Sequence, residues 1–353
     1  MTLHVFNPEH EMAMACGGRH INLPHTIQEL RMNMGWMPAL WAHDGDIVLV
    51  DDKAFAIKAA GRHEHADVLF LEPADIQGQR FDRIEPWGWD MALLTLLTDA
   101  RITAPTMPDE QQVAAIRRLA GRGHTADALA YIRKGIEHAT CGESRYVTTE
   151  TERCYGSCVI KAPWSSSGRG IRYVMAGEPL SDNTRRWMTN VIRRQGGITV
   201  EPYYPKVKDF AMEFEMVGQR ARYLGLSLFI TTNGAYAGNL LATEEEKRRR
   251  LSAFLPSDLL QTVRQRICSY AESHYAGVYE GPFGVDMMVV ATDGAQGFLL
   301  HPCVEINLRR TMGHVALALP TDDTIPERVM HLVHDVNFRL KTTTIHNDFV
   351  QTL

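Results

Sequence analysis

The chain has 353 residues, 45% of them hydrophobic and 22% charged, with a formal net charge of -5. This is length enough for two or three domains with buried cores, and its mild acidity gives no electrostatic reason to expect nucleic acid or an anionic membrane as partner. No apolar run approaches the roughly 18–20 residues that span a bilayer, and the opening MTLHVFNPEHE has neither the basic nor the apolar region of a secretory signal, so a cytoplasmic protein is expected.

Along the chain, residues 3–6 and 46–50 read as buried strands, with further strands at 66–71 and 83–85. Helical patterns occupy 25–34 and 90–97, and this alternation predicts a mostly parallel sheet covered on both faces. Residues 106–140 read as helical, with Asp109 as a cap and Gly121 as an interruption. From Ser157 onward strands dominate, at 158–161, 171–175, 198–203, 210–217 and 223–231, with a turn at Asn233-Gly234. The charge run Glu244 to Arg250 places acids before bases, which suits a solvated helix start. A long amphipathic helix is expected over 256–276. Strands at 285–291 and 297–306 follow, joined through Asp293-Gly294, and helices are expected to close the chain.

Several chemistries are absent by motif. There is no GxxxxGK[ST], GxSxG, HExxH or GxGxxG. The six cysteines (Cys16, Cys141, Cys154, Cys158, Cys268 and Cys303) form no C-x-x-C pair, so neither zinc-ribbon nor thioredoxin-like chemistry is signalled.

Three clusters carry chemistry. In the first, a strand ends in Lys161 and runs into Ser165, Ser166, Ser167, Gly168, Arg169 and Gly170. Small residues let main-chain N–H groups approach phosphate oxygens, and the lysine adds a point charge; a surface hairpin with a solvated lysine is the other reading. The second runs from Glu201 through Pro202, Tyr203 and Tyr204 to Asp209. It suits a hinge whose backbone meets a base edge while Asp209 accepts from ribose hydroxyls, and equally two core tyrosines and the start of a strand. In the third, Asp286 lies inside an apolar strand, and Glu305-Ile306-Asn307 ends another. Period-2 alternation puts Glu305 and Asn307 on one face. Carboxylates in apolar strands are costly unless paired or bound to a cation, and oxygen-only donors suit Mg²⁺. An ordinary strand pair with a wet polar face is the alternative.

In this order the clusters resemble the ATP-grasp superfamily, over roughly residues 110–320. The resemblance implies an α/β pre-ATP-grasp domain with a parallel sheet at 1–105, a helical linker and first grasp lobe at 106–203, and a second lobe with C-terminal helices at 204–353. It implies ATP and Mg²⁺ as cofactors. Lys161 would meet the α/β-phosphates and residues 165–170 would form the mobile loop over the β/γ-phosphates. Glu201, Tyr203 and Tyr204 would be the adenine hinge, Asp209 the ribose acid, and Asp286, Glu305 and Asn307 the magnesium ligands. Many such ligases carry an arginine two residues before the metal aspartate, where this chain has Gly284; Arg309 or Arg310 is expected to supply that cation. Arg122 is considered as a replacement for a second phosphate lysine, against a solvent-facing arginine. The implied activity joins a small-molecule carboxylate to an amine or similar nucleophile through an acyl phosphate. A kinase on the same scaffold and a non-catalytic nucleotide-binding protein are the alternatives.

The N-terminal Asn7-Pro8-Glu9-His10-Glu11 resembles the start of an ATP-grasp subgroup with an Asn-Pro-Glu motif. A polar cluster at the carboxyl end of a first strand stands where α/β sheets bind ligands. Asn7, Glu9 and His10, with Trp87 and Asp90 after a second strand, are therefore candidate substrate contacts. Turn and capping chemistry with buried tryptophans would account for the same residues.

Overall fold

The computed structural model describes residues 1–149, 156–165, 170–232, 235–292, 297–322 and 324–345. Its strands are β1 (Thr2–Val5), β2 (Ile47–Leu49), β3 (Leu69–Leu71), β4 (Arg83–Pro86), β5 (Arg145–Val147), β6 (Cys158–Lys161), β7 (Ile171–Val174), β8 (Ile198–Pro202), β9 (Lys206–Val217), β10 (Arg220–Thr232), β11 (Ala235–Leu241), β12 (Gly281–Ala291), β13 (Phe298–Asn307), β14 (Arg328–His334) and β15 (Phe338–Thr344). The α-helices are α1 (His10–Cys16), α2 (His25–Met34), α3 (Lys53–Ala60), α4 (Met91–Asp99), α5 (Glu110–Ala120), α6 (Arg122–Arg133), α7 (Asp182–Gln195), α8 (Glu244–Leu251), α9 (Ser257–His274) and α10 (Met312–Ala318). Contacts group the chain into two compact units. Unit 1 is Met1–Arg117, Ala237–Ala242 and Arg309–Leu353; unit 2 is Arg118–Tyr236 and Thr243–Leu308. The junction expected near residue 105 lies inside unit 1, and the one near 203 inside unit 2.

Unit 1 is built on a four-stranded sheet in the order β3-β2-β1-β4, every pairing parallel. Parallel neighbours need crossover connections; α1 and α2 lie between β1 and β2, α3 lies between β2 and β3, and α4 follows β4. Asp52 and Asp90 cap α3 and α4 by accepting the Phe55 and Leu93 N–H groups. The core gathers Phe6, Trp36, Val48, Phe70 and Trp87 with Leu241, Val315, Met330 and Leu340.

The helices expected to close the chain are not what forms. After α10 come two strands, β14 and β15, paired antiparallel in register from Arg328↔Thr344 to His334↔Phe338. β14 also pairs with β11, Asn239 opposite Met330. The sequence explains the difference: Val329, Val333, Phe338 and the threonines at 342–344 favour extended backbone, and Asp335-Val336-Asn337 supplies the reversal. This segment therefore completes unit 1.

Unit 2 holds two antiparallel arrays. One is β5-β8-β6-β7, where Val147, Cys158, Ile160, Ile198 and Val200 pack with Met188 and Val191. α7 begins at a Ser181 cap and ends at left-handed Gly196. The other runs β13-β12-β9-β10. Along β9, Phe210, Met212, Phe214 and Met216 alternate into the core, Phe214 stacked on Phe283 at 5.1 Å; the intervening residues line the opposite face. α8 and α9 form where the charge run and the amphipathic pattern indicated. The expected turns at Asn233-Gly234 and Asp293-Gly294 lie outside the described residues. No helix among the described residues is long and apolar enough to cross a membrane.

Candidate active site

The register of unit 2 determines which polar groups meet. β6 pairs with β8 so that Val159 faces Glu201 and Lys161 faces Thr199. Lys161 and Glu201 are thus diagonal neighbours on one face, within reach of long side chains. Lys161 Nζ lies 2.5 Å from Glu201 Oε2, and the residues are 6% and 5% exposed. Glu201 Oε1 also accepts the Ser144 hydroxyl at 3.4 Å. The lysine is therefore a buried, paired cation and not the solvated end of a hairpin.

On the second array, β12 and β13 place Asp286 opposite Glu305 and Gly284 opposite Asn307. All three oxygen-bearing side chains share one face. Asn307 Nδ2 donates to Asp286 Oδ2 at 3.3 Å. Glu305 Oε1 is held 2.7 Å from Arg122 Nη2. Arg122 is 4% exposed, so the solvent-facing expectation fails. Its Nη1 also donates to the Ala162 carbonyl at 2.6 Å and the Ser165 hydroxyl at 2.8 Å, tying the start of the Ser/Gly loop to the carboxylate face. Ala162 N–H donates to the Gly170 carbonyl at 2.8 Å, closing that loop's base. Ser166, Ser167, Gly168 and Arg169 lie outside the described residues.

Cys303, on β13, is a fully buried thiol. Burial pushes its pKa up; Glu201 and Asp286 push it further, Lys161 opposes them and Glu305 adds to the rise. One sulfur thus feels the charges of both pairs. His301, two residues earlier on the strand, is also buried, and its pKa falls from 6.5 to about 3, through burial first and then the charges of Lys161 and Arg133. Arg133 binds the carbonyls of Thr140 and Gly142. Sequence reading missed both residues. A histidine in the apolar run Phe298-Leu299-Leu300 was the available signal for the first; nothing marked Arg133 apart from other helix-end arginines.

The hinge candidates divide. Tyr203 N–H donates to the Ser157 carbonyl at 2.9 Å, so that amide is committed, and its ring is exposed. Tyr204 sits against His301, ring centroids 5.5 Å apart. Asp209 accepts from Lys206 Nζ at 2.5 Å and Thr231 Oγ1 at 3.0 Å, and lies across from Met288, on the same face as Asp286.

These donors fit a magnesium ion in chemistry. They are hard oxygens, two carboxylates and an amide. No group of three or more His, Cys, Asp or Glu able to hold a metal occurs among the described residues. Mg²⁺ is commonly held by one or two carboxylates together with substrate phosphates, and Asp286 and Glu305 supply two.

The N-terminal candidates gather in unit 1. Asn7 Nδ2 donates to the Gly88 carbonyl at 2.8 Å and to Asp90 Oδ2 at 3.0 Å. His10 Nδ1 lies 3.2 Å from the same Asp90 oxygen. Glu9 pairs with Arg31 at 3.2 Å. Trp87 packs edge-on to Phe6 and accepts the Arg310 N–H at its carbonyl, 2.8 Å. Arg309 Nε donates to Glu11 Oε1 at 2.7 Å, and the Arg310 guanidinium lies 4.4 Å over the Trp41 ring, 3.6 Å from Glu85. Arg309 and Arg310 thus belong with the N-terminal polar cluster, a grouping concealed by their distance in sequence.

No family model and no curated protein sequence matches the chain. Among solved structures it is similar to the N5-carboxyaminoimidazole synthetase of Staphylococcus aureus complexed with ADP, at 13% identity and TM-score 0.49, covering 94% of this chain and 82% of that one. A putative ATP-grasp superfamily protein from Archaeoglobus fulgidus aligns at 13% identity and TM-score 0.49, covering 98% and 100% of the two chains. For the biotin carboxylase of Campylobacter jejuni the values are 13%, 0.48, 94% and 75%.

Proposed function

We propose that the chain is an ATP-dependent ligase of the ATP-grasp kind. In this reading it activates a small-molecule carboxylate as an acyl phosphate and releases ADP and phosphate after attack by an amine or similar nucleophile. The observation that supports it is that Arg122 joins the two polar groups, binding Glu305 on the Asp286–Asn307 face and the Ala162 carbonyl beside the Lys161–Glu201 pair. A cation and an oxygen-donor face within one electrostatic neighbourhood suit a triphosphate.

The grasp lobes correspond to the two antiparallel arrays of unit 2. Lys161 meets phosphate oxygens as a point charge, and the 165–170 loop, whose Ser165 end Arg122 holds, covers them. Glu201 to Tyr204 borders the base, and Asp209 accepts from the ribose. Asp286, Glu305 and Asn307 would hold Mg²⁺, which when bound offsets the charge of the transferring phosphoryl group. Arg122 steadies Glu305 until that cation is present. Arg309 and Arg310, paired with Glu11 and Glu85, lie with Asn7, Glu9, His10, Trp87 and Asp90 as the substrate contacts. Catalysis in this arrangement is positioning and electrostatics.

Calorimetric titration with Mg-ATP tests the reading. Wild type should bind, and Lys161→Met and Glu305→Gln should each lose at least about tenfold in affinity, the loss of one charge-assisted contact. A screen of pooled carboxylates with amines should then release ADP only when a carboxylate is present. AMP as the main product overturns the mechanism, and a stable phosphorylated alcohol in phosphorus NMR transfers the reading to a kinase.

A further inference from the structure

The polar cluster of unit 1 holds two acceptor atoms, one on His10 and one on Glu9, that take no hydrogen bond among the described residues. Asp90 is an acceptor on both oxygens: Oδ1 takes the Leu93 N–H at 2.9 Å and Oδ2 the Asn7 amide at 3.0 Å. A carboxylate offers no proton, so the 3.2 Å contact with His10 requires the imidazole to carry its hydrogen on Nδ1. In the neutral ring that leaves the lone pair on Nε2. Nε2 makes no hydrogen bond among the described residues. The ring is clamped, since a side-chain carbon at Gly88 would lie 2.7 Å from Nδ1 and Cε1.

Glu9 is the second acceptor. The residue is 8% exposed; Oε1 is taken by Arg31, while Oε2 is buried with no hydrogen-bond partner among the described residues. Burial raises its pKa in spite of Arg31, and the Asp90 charge contributes to the rise. A buried carboxylate oxygen without a donor carries a desolvation cost that a ligand N–H would relieve. The neighbouring cations already have partners: Arg31 binds Asp51 at 2.8 Å as well as Glu9, Arg309 binds Glu11, and Arg310 faces Trp41 and Glu85. With Glu9, Glu11 and Asp90 close in sequence or in contact, the cluster disfavours an anion and favours a compact group rich in N–H donors.

We propose that the carboxyl ends of β1 and β4 form a binding site for a primary amine, which donates N–H bonds to His10 Nε2 and Glu9 Oε2. Read together with the ligase function, on which this further step rests, the site recognises the nucleophile. The carboxylate partner is bound elsewhere.

The test uses the full-length protein labelled with nitrogen-15 in histidine. Long-range proton–nitrogen spectra identify the tautomer of His10, and ethanolamine, putrescine and, as an anionic control, acetate are titrated in turn. The expected result is an Nδ1–H tautomer whose Nε2 resonance moves saturably with either amine and not with acetate. Glu9→Gln, checked for folding by its thermal melt, should weaken amine binding about tenfold, the loss of one hydrogen bond to a charged acceptor. An Nε2–H tautomer, an equal response to acetate, or wild-type amine affinity in Glu9→Gln would overturn the site. Amine binding in a protein that does not bind Mg-ATP would keep the site and sink the ligase reading. Mg-ATP binding with a silent His10 would do the reverse.

Discussion

Lys161 and Glu201 stabilise each other only as a pair. Each has left water, and removing one partner leaves the other charge buried at a cost of about 3–5 kcal/mol. Lys161→Met should lower stability by that order, whereas Lys161→Met with Glu201→Leu should recover most of the loss, and neither variant should bind Mg-ATP. Denaturant melts arranged as a double-mutant cycle measure this; equal destabilisation in the single and double variants would argue against a coupled pair. His301 behaves differently because it is buried, and neither ring nitrogen has a hydrogen-bond partner among the described residues. Its folded pKa is about 3 against an ordinary 6.5, so below pH 6.5 the unfolded state takes up a proton that the folded state refuses. Stability contributed at neutral pH is therefore lost on acidification across that window, by at most about 1.4 kcal/mol per pH unit. His301→Phe removes this dependence, and its advantage over wild type should widen between pH 7 and pH 5. A constant gap would contradict the burial argument.

At the scale of elements, one aspartate has two duties. Asp90 caps α4 and orients His10, and the loop after β4 lets it do both because Gly88 leaves room for the imidazole. Gly88→Ala should force His10 off Asp90, costing about 1–3 kcal/mol by overpacking. The loss should appear in the thermal melt together with a changed His10 nitrogen spectrum; an unchanged spectrum would show that the ring was not held. Such coupling was invisible in the sequence, which showed Asn7, Glu9, His10, Trp87 and Asp90 as members of two separate turns. What the sequence did disclose was anything governed by local period. Glu305 and Asn307 share a face because strands alternate, and α2 and β6 begin and end where their patterns do. Relations set by register between distant strands, such as Arg122 with Glu305 or Arg309 with Glu11, leave no periodic trace. The closing strands β14 and β15 were misread as helices because short apolar runs without strict alternation do not distinguish the two periods.

For the molecule as a whole, a ligand that binds only the folded state raises stability by mass action. If unit 2 binds Mg-ATP as proposed, nucleotide at one hundred times its dissociation constant should add about 2.7 kcal/mol, seen as a rise in melting temperature that grows with concentration. The rise should vanish in Glu305→Gln and depend on magnesium. An equal rise with magnesium withheld would remove Asp286, Glu305 and Asn307 from the metal role.

The discontinuity of unit 1 also governs the order in which the protein is born. Met330 and Leu340, from β14 and β15, share a core with Trp36, Val48 and Phe70 from the opening sheet. A ribosome exposes residues 1–117 before unit 2, yet their packing partners in β14 and β15 emerge only after it. Unit 2 has its whole sequence outside once Leu308 clears the exit tunnel. Although domains commonly mature from the N-terminus during synthesis, here the middle of the chain should mature first. Nascent chains arrested with residues 1–308 exposed should yield a protease-resistant fragment from within 118–308, while the N-terminal stretch is degraded. Until β14 and β15 emerge, the opening sheet lacks the apolar partners Met330 and Leu340 that cover it.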